Sequence, residues 1–245
     1  MSNSHLVSLM HTLSLSGMVK AFEIQSEQPQ MFALGFEERL SILLEAEANT
    51  RENKRITRLT KAAKMRQHQA ALEDVHYLPS RGLDKALIAD LSTCQWIDKR
   101  QNLVITGATG TGKSWLACAF GKQACRHGYP AIFLTATHLY EQITAANMAG
   151  TLPKLRTQLI KNRLLIIDDF GIGGVDIQLG PILLDIIDQH ALQGSLIITS
   201  QFPTEKWYDL FNDPTIADAI LDRVVHKSHF LKLKGESQRK GKLDK

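Results

Sequence analysis

Apolar residues in the first 68 positions recur at the spacing of α-helices. One set with i, i+3, i+4, i+7 spacing predicts an amphipathic helix that ends near Gly17; its members are Leu6, Leu9, Met10 and Leu13. A second helix carries Phe36, Leu40, Leu43 and Leu44 on one face, and a third is expected over residues 51–68. Because no run in this part shows the period of two that strands require, we predict an all-helical N-terminal domain.

The pattern changes near residue 102 to short apolar runs separated by helical segments. These runs predict five strands, at residues 102–106, 131–134, 164–167, 196–199 and 230–233. Apolar strands alternating with helices are typical of a parallel α/β sheet covered on both faces. The turn-rich segment YLPSRG lies between the two parts. We therefore expect a helical domain at 1–78, an α/β domain at 79–235 and a basic tail at 236–245.

Composition narrows the class of protein. The chain has 245 residues, of which 44% are hydrophobic, and this content excludes global disorder. Its 29 basic and 25 acidic residues give a net charge of +4, too small by itself to indicate a nucleic-acid partner. Three cysteines without a CxxC pair argue against a disulfide framework and a cysteine zinc site. No apolar run is long enough to span a membrane and no signal peptide is evident, so we expect a cytoplasmic protein without a membrane partner.

Residues 107–114 read GATGTGKS and match the phosphate-loop pattern GxxxxGK[ST]. The predicted strand precedes this loop and a predicted helix follows it, which is the arrangement that presents backbone amides and a helix N-terminus to phosphates. Lys113 is expected to bridge the β- and γ-phosphates, and the Ser114 hydroxyl to bind Mg²⁺. The predicted nucleotide-binding residues are Gly107, Ala108, Thr109, Gly110, Thr111, Gly112, Lys113, Ser114 and Trp115.

Four further polar residues are candidates for catalysis. Asp168 and Asp169 follow the third strand; the first is placed to hold Mg²⁺ and the second to orient or deprotonate the attacking water. Gln201 follows the fourth strand, where a polar side chain can reach the γ-phosphate or that water. Arg223 lies on a late helix, and a neighbouring subunit could supply it to stabilise the charge on the transferring phosphoryl group.

Basic residues are concentrated between residues 51 and 68. Six of these cations fall within an arc of about 140° on a helix, and Glu52 is the only acidic residue in the segment. No aromatic residue is interleaved, which favours contacts with the backbone of double-stranded DNA over base stacking. The predicted DNA contacts are Arg51, Lys54, Arg55, Arg58 and Lys61.

Seven segments occur in the order found in IstB-type transposition helper ATPases, a branch of the AAA+ family related to the helicase loader DnaC. They include GATGTGKSWLA, LLIIDDFG, LIITSQFPTEKW, AILDRVV and GESQRK. The resemblance implies an AAA+ P-loop core with a five-stranded parallel sheet in the order 5-1-4-3-2. It also implies ATP- and Mg²⁺-dependent assembly into a homo-oligomer with ATP at the subunit interfaces, and DNA binding. Family members assist a partner transposase in preparing target DNA.

The resemblance also assigns roles to individual residues. It makes Asp168 the Walker B aspartate, Gln201 sensor 1, Arg223 the arginine finger and Arg239 a sensor-2 arginine. The AAA+ pattern usually has Glu at the position of Asp169, and Asn or Asp at that of Gln201. These differences indicate slow ATP hydrolysis, stimulated by DNA or by a partner protein.

Three other functions fit parts of the sequence. A DnaC-like replicative helicase loader would share the ATPase chemistry and differ in its partner. A small-molecule P-loop phosphotransferase would need an acceptor pocket and an arginine-rich lid, and no arginine-rich insert is evident. A non-catalytic module would hold nucleotide without turning it over.

Overall fold

The computed structural model describes residues 3–238. Their contacts divide the chain into two compact units, with the division between Arg58 and Leu59. The division comes earlier than the expected boundary near residue 78, because the intervening segment buries apolar side chains in the core of the second unit. Ala63 is fully buried there and Met65 is 2% exposed. The backbone N–H of Phe133 also donates to the carbonyl of Ala63 at 2.9 Å.

Every regular element of the first unit, within residues 3–58, is helical, as the sequence predicts. Helix α1 spans Asn3–Thr12, α2 spans Ser16–Glu27, a 3₁₀ turn covers Pro29–Ala33, and α3 spans Phe36–Ala62. Helix α3 is one continuous helix of 27 residues where the pattern predicted two, and the division between the units falls within it. It ends at Ala62 and not at His68, because Lys64 adopts a left-handed conformation with φ 53°.

The predicted helix end near Gly17 is wrong, because Gly17 lies inside α2. A Cβ atom at this position would be 2.5 Å from the carbonyl oxygen of Ala46, so glycine permits α2 to approach α3 closely. The backbone N–H of Gly17 donates to Oε2 of Glu47 at 2.7 Å, and Arg51 forms an ion pair with Oε1 of the same carboxylate. The bond from Arg51 and those from the α2 backbone hold the pKa of Glu47 below its usual range.

The second unit contains one parallel sheet in the order β2-β3-β4-β1-β5. This is the predicted order read from the other edge, and each expected strand is present. The strands are β1 Asn102–Gly107, β2 Ala131–Thr135, β3 Leu164–Asp168, β4 Ser195–Ser200 and β5 Ser228–Leu233.

Helices cover both faces of the sheet. They are α4 Lys85–Ser92, α5 Gln95–Asp98, α6 Lys113–Arg126, α7 Ala136–Met148, α8 Leu152–Ile160, α9 Leu179–Ala191 and α10 Pro214–Val225. Successive residues of β1 enter two separate cores: Leu103 and Ile105 lie in the core that contains Phe120 of α6, and Val104 lies in the core that contains Leu139 of α7. This alternation confirms the predicted sheet with two buried faces. Among residues 3–238, no helix is both long and apolar enough to cross a membrane.

Candidate functional site

The predicted phosphate loop joins the end of β1 to the start of α6. Gly110 and Gly112 adopt φ values of 86° and 99°, which L-residues with side chains rarely adopt. Gly112 immediately precedes the first residue of α6. The loop therefore leads directly into a helix N-terminus, the arrangement that binds anions.

The Lys113 side chain is 6% exposed and bends back over the loop. Its Nζ donates to the carbonyl oxygen of Ala108 at 3.0 Å, and the Thr111 hydroxyl donates to the same oxygen at 2.8 Å. Trp115, one turn into the helix, packs against the core on the α6 face of the sheet. The ammonium thus lies at the loop, where the phosphate-loop pattern requires it.

Asp168 ends β3 and is completely buried. The Thr199 hydroxyl donates to its Oδ1 at 2.6 Å, whereas Oδ2 is buried without a hydrogen-bond partner among the described residues. Desolvation raises the pKa of Asp168, and the neighbouring Thr199 and Ser114 hydroxyls oppose this rise. A buried carboxylate oxygen without a donor, next to the Ser114 hydroxyl, fits a divalent cation that takes oxygen ligands.

Asp169 turns the chain sharply at the end of β3. It is not a glycine, yet its φ is 59°, and its backbone N–H donates to the Thr199 hydroxyl at 2.9 Å. The next N–H, that of Phe170, donates to the carbonyl of Thr199 at 2.8 Å. Thr199 therefore holds both acidic residues, a role that sequence reasoning missed because it depends on the pairing of β3 with β4.

The structure brings Gln201 to the phosphate loop. Its Oε1 accepts a hydrogen bond from the Thr109 hydroxyl at 3.1 Å, and both residues are exposed. Gln201, just after β4, therefore lies beside the loop, and its contact with a γ-phosphate stays a prediction.

Arg223 forms no hydrogen bond or ion pair with the phosphate loop of its own chain among the described residues. It is on α10, forms an ion pair with Asp188 of α9 and donates from Nη1 to the carbonyl of Ala219 at 2.8 Å. Its own carbonyl accepts from the Asn102 side chain at 3.2 Å, which places its backbone near the first residue of β1. Because the phosphate loop follows the last residue of β1, the backbone of Arg223 lies at the opposite end of this strand from the loop of its own chain. Arg239, the expected sensor-2 residue, lies outside the described residues.

The five predicted DNA contacts are all exposed on α3, with Arg51, Lys54, Arg55 and Arg58 in the first unit and Lys61 in the second. Two of them have acidic partners: Arg51 lies 2.7 Å from Glu47, and Arg55 lies 3.6 Å from Glu52. Glu47 lies one helical turn before Arg51, outside the segment 51–68 whose charges predicted the DNA contacts.

A second missed residue is Arg81, which belongs to the turn-rich segment YLPSRG. Its guanidinium is buried, with 6% exposure, and Nη2 donates to the carbonyl oxygen of Thr111 in the phosphate loop at 3.3 Å. A single arginine beside proline and glycine is typical of an exposed turn, so no sequence signal marked it.

Comparison with known proteins places the chain in a family. The family described as IstB-like ATP binding protein matches residues 8–245. An insertion-sequence ATP-binding protein of Sinorhizobium fredii is 39% identical over 236 residues, covering 96% of each chain. Another, from Pseudomonas fluorescens, is 43% identical over 204 residues, covering 83% of this chain and 88% of the relative.

Solved structures show the same fold at low identity. The AMPPCP-bound DnaA of Aquifex aeolicus superposes with a TM-score of 0.56 at 18% identity, covering 71% of this chain and 53% of that chain. The chain thus spans about half the length of that DnaA. The DnaC helicase loader superposes with a TM-score of 0.52 at 18% identity, covering 67% of this chain and 97% of that chain. The chain belongs to the IstB-like ATP-binding protein family, and its second unit has the AAA+ P-loop fold.

Proposed function

We propose that this protein is an ATP-dependent, self-assembling DNA-binding regulator that prepares target DNA and recruits or stimulates a partner transposase. The observation that carries the proposal is the proximity of Ser114, the last residue of the GATGTGKS motif, to Asp168, whose Oδ2 has no donor in the described chain. A phosphate-binding loop and a cation-binding carboxylate side by side are what a Mg²⁺–nucleoside triphosphate requires.

ATP would bind with its phosphates against the loop amides and the N-terminus of α6. The Lys113 ammonium exchanges its bond to the Ala108 carbonyl for phosphate oxygens, which carry more negative charge. Ser114 and Asp168 would hold Mg²⁺, which neutralises phosphate charge when bound. The loop amides and the helix N-terminus are already oriented before ATP binds, so they can stabilise the phosphate charges without reorganising as water must.

Hydrolysis requires a positioned water molecule. The N–H of Asp169 is bonded to Thr199, and Gln201 is bonded to Thr109 of the loop, so both side chains would flank the terminal phosphate of a bound triphosphate. The Asp169 side chain is one methylene shorter than the glutamate usual at this position in the AAA+ family. We therefore propose slow turnover, which suits a switch that is stimulated by DNA or by a partner.

Assembly would complete the site. The backbone of Arg223 lies at the opposite end of β1 from its own phosphate loop, so the Arg223 that acts on the bound nucleotide would come from another copy. We propose a homo-oligomer with ATP at the interfaces, in which the γ-phosphate favours the assembled state and hydrolysis releases it.

DNA binding would use the exposed cations of α3. Arg58 and Lys54 are exposed and carry no acidic partner among the described residues, so duplex phosphates can engage them without breaking an ion pair. Each phosphate contact releases condensed counterions, and the affinity should therefore fall steeply as salt rises.

The relatives support a transposase as the partner, because the similar proteins are insertion-sequence proteins. The likeness to DnaC, at 18% identity, supports only the shared fold. The test has two parts: phosphate release from ATP with and without duplex DNA, and retention of this protein by the transposase of its insertion sequence or by a hexameric helicase. DNA-stimulated phosphate release without an added acceptor, together with retention by the transposase, supports the proposal. Retention by the helicase alone would establish the loader function instead.

A further inference from the structure

Two segments outside the phosphate-loop motif bond to its carbonyl groups. Arg81, in the turn before α4, donates from Nη2 to the carbonyl oxygen of Thr111 at 3.3 Å. Gln238, which follows β5, donates its backbone N–H to the carbonyl oxygen of Gly110 at 2.9 Å. These two carbonyls are consecutive in the loop, and neither donor has a role in the nucleotide chemistry described above.

Within residues 3–238, the Arg81 side chain donates only to backbone carbonyls. It bonds to Thr111 and, from Nη1 at 3.0 Å, to His76, and its buried Nε has no partner in this part of the chain. None of the ion pairs among residues 3–238 includes it. Burial of a charge without a carboxylate works against stability, so packing alone gives no reason for an arginine here.

The two segments are also bonded to each other. The backbone N–H of Lys234 donates to the carbonyl of Arg81 at 2.9 Å. Ser237 packs directly on Gly110, where an added Cβ would collide with the serine Oγ. The turn that contains Arg81 and the segment 234–238 after β5 are therefore bonded to each other, and together they support the loop on the side where its carbonyl groups point.

The geometry of the peptide bond gives this support a consequence for the opposite side of the loop. A trans peptide is planar, and its C=O and N–H groups point in opposite directions. When Arg81 holds the Thr111 carbonyl, it turns the N–H of Gly112 away from itself. That N–H donates no hydrogen bond within the described part of the chain and is available to a ligand. Gln238 acts in the same way on the N–H of Thr111, which makes only a long contact of 3.4 Å with the Ala108 carbonyl.

We propose that Arg81 is a positioning residue for nucleotide binding. Together with the backbone of Gln238, it holds two loop peptides so that their N–H groups face the bound triphosphate. This inference rests on the proposed function, since it concerns the affinity of the same phosphate site. The guanidinium acts through the Thr111–Gly112 peptide and does not touch the nucleotide.

The test compares Arg81→Met with Lys99→Met, which removes the same charge from an exposed position of the same unit. Two quantities are measured: the Kd of a fluorescent ATP analogue with Mg²⁺, and the thermal unfolding midpoint without nucleotide. Loss of a hydrogen bond to a charged group predicts an affinity about tenfold weaker for Arg81→Met. The unfolding midpoint of Arg81→Met should stay close to that of the wild type, because removal of the buried charge offsets the loss of its hydrogen bonds. Lys99→Met should bind as the wild type does.

Binding by Arg81→Met within a factor of about two of the wild type would overturn the proposal. A lowered midpoint with unchanged affinity of the folded fraction would show a purely structural role and would also overturn it. If Arg81→Met does not fold, a second pair of variants tests the same support. Gln238→Pro removes the backbone donor together with the side chain, and Gln238→Ala removes the side chain alone; equal affinities of these two variants for the analogue would contradict the proposed support of the loop. Absence of analogue binding by the wild type would refute the proposed function itself, a result distinct from equal binding by wild type and variant.

Discussion

The hydroxyl of Thr199 donates to Oδ1 of Asp168 at 2.6 Å, across the pairing of β4 with β3. The same hydroxyl accepts the N–H of Asp169 at 2.9 Å. One side chain thus directs the free oxygen of the buried aspartate and fixes the turn that carries the second carboxylate. The acidic part of the site is therefore built from two neighbouring strands and not from the LLIIDD segment alone.

Replacement of Thr199 by valine should weaken both folding and hydrolysis. The variant keeps the shape of the side chain but leaves Oδ1 of Asp168 and the N–H of Asp169 without their partner. We expect the free energy of unfolding to fall by about 1–3 kcal/mol, together with slower phosphate release. Urea denaturation and a phosphate-release assay measure the two effects. Thr199→Ser keeps the hydroxyl and should retain most of the activity; equal loss in both variants would contradict the role assigned to the hydroxyl.

Replacement of Asp168 by asparagine should raise the stability of the metal-free protein at neutral pH. The raised pKa of Asp168 means that folding disfavours its charged form, so its stabilising contribution is lost as pH rises through that pKa. The neutral variant avoids this cost, and its advantage should vanish as pH falls and the wild-type carboxyl becomes protonated. Thermal unfolding from acid to neutral pH measures the difference.

Magnesium provides the internal control for that variant. With Mg²⁺ and an ATP analogue the order should reverse, because only the wild type can offer a carboxylate to the cation. A variant that is less stable than the wild type at neutral pH without metal would show that the charge at Asp168 is not costly in the fold.

Local patterns predicted the elements and the phosphate loop because strand runs, helix spacing and the GATGTGKS motif are all short-range signals. The boundary between the units was not predictable in this way, since Ala63 and Met65 look like helix residues until their burial against the sheet is seen. Gly17 was misread for the same reason: its close approach to Ala46 involves a residue distant in sequence. The contacts of Arg81 and Thr199 likewise depend on tertiary structure.

Two single substitutions on α3 should differ in their effect on the salt dependence of DNA affinity, because one removes a cation with an acidic partner and the other a cation without one among the described residues. Arg58→Ala removes an exposed cation without an ion pair among the described residues, and the slope of log K against log salt should become shallower by about 1. Arg51→Ala should change the slope less, because Glu47 already binds that guanidinium. Titration of duplex DNA at several salt concentrations gives both slopes. Equal effects of the two substitutions would argue against the paired state of Arg51 in solution.

A mixture of two inactive variants should recover activity if Arg223 acts on a neighbouring subunit. Lys113→Ala lacks the phosphate-loop ammonium but retains Arg223, whereas Arg223→Ala has the reverse defect. Each alone should release little phosphate, and mixed oligomers should contain interfaces with both intact residues. Phosphate release across a series of mixing ratios tests this directly. No recovery at any ratio, with both variants still assembling, would place Arg223 outside the interfacial site.

We propose that a Mg²⁺-bound triphosphate at the phosphate loop drives assembly on DNA. Native mass measurement of the wild type and of Lys113→Ala, each with an ATP analogue, Mg²⁺ and duplex DNA, tests this proposal most directly. We predict a multi-subunit particle on DNA for the wild type and its loss for Lys113→Ala. A wild-type protein that stays monomeric when saturated with nucleotide and duplex, or a variant that assembles equally well, would contradict the account.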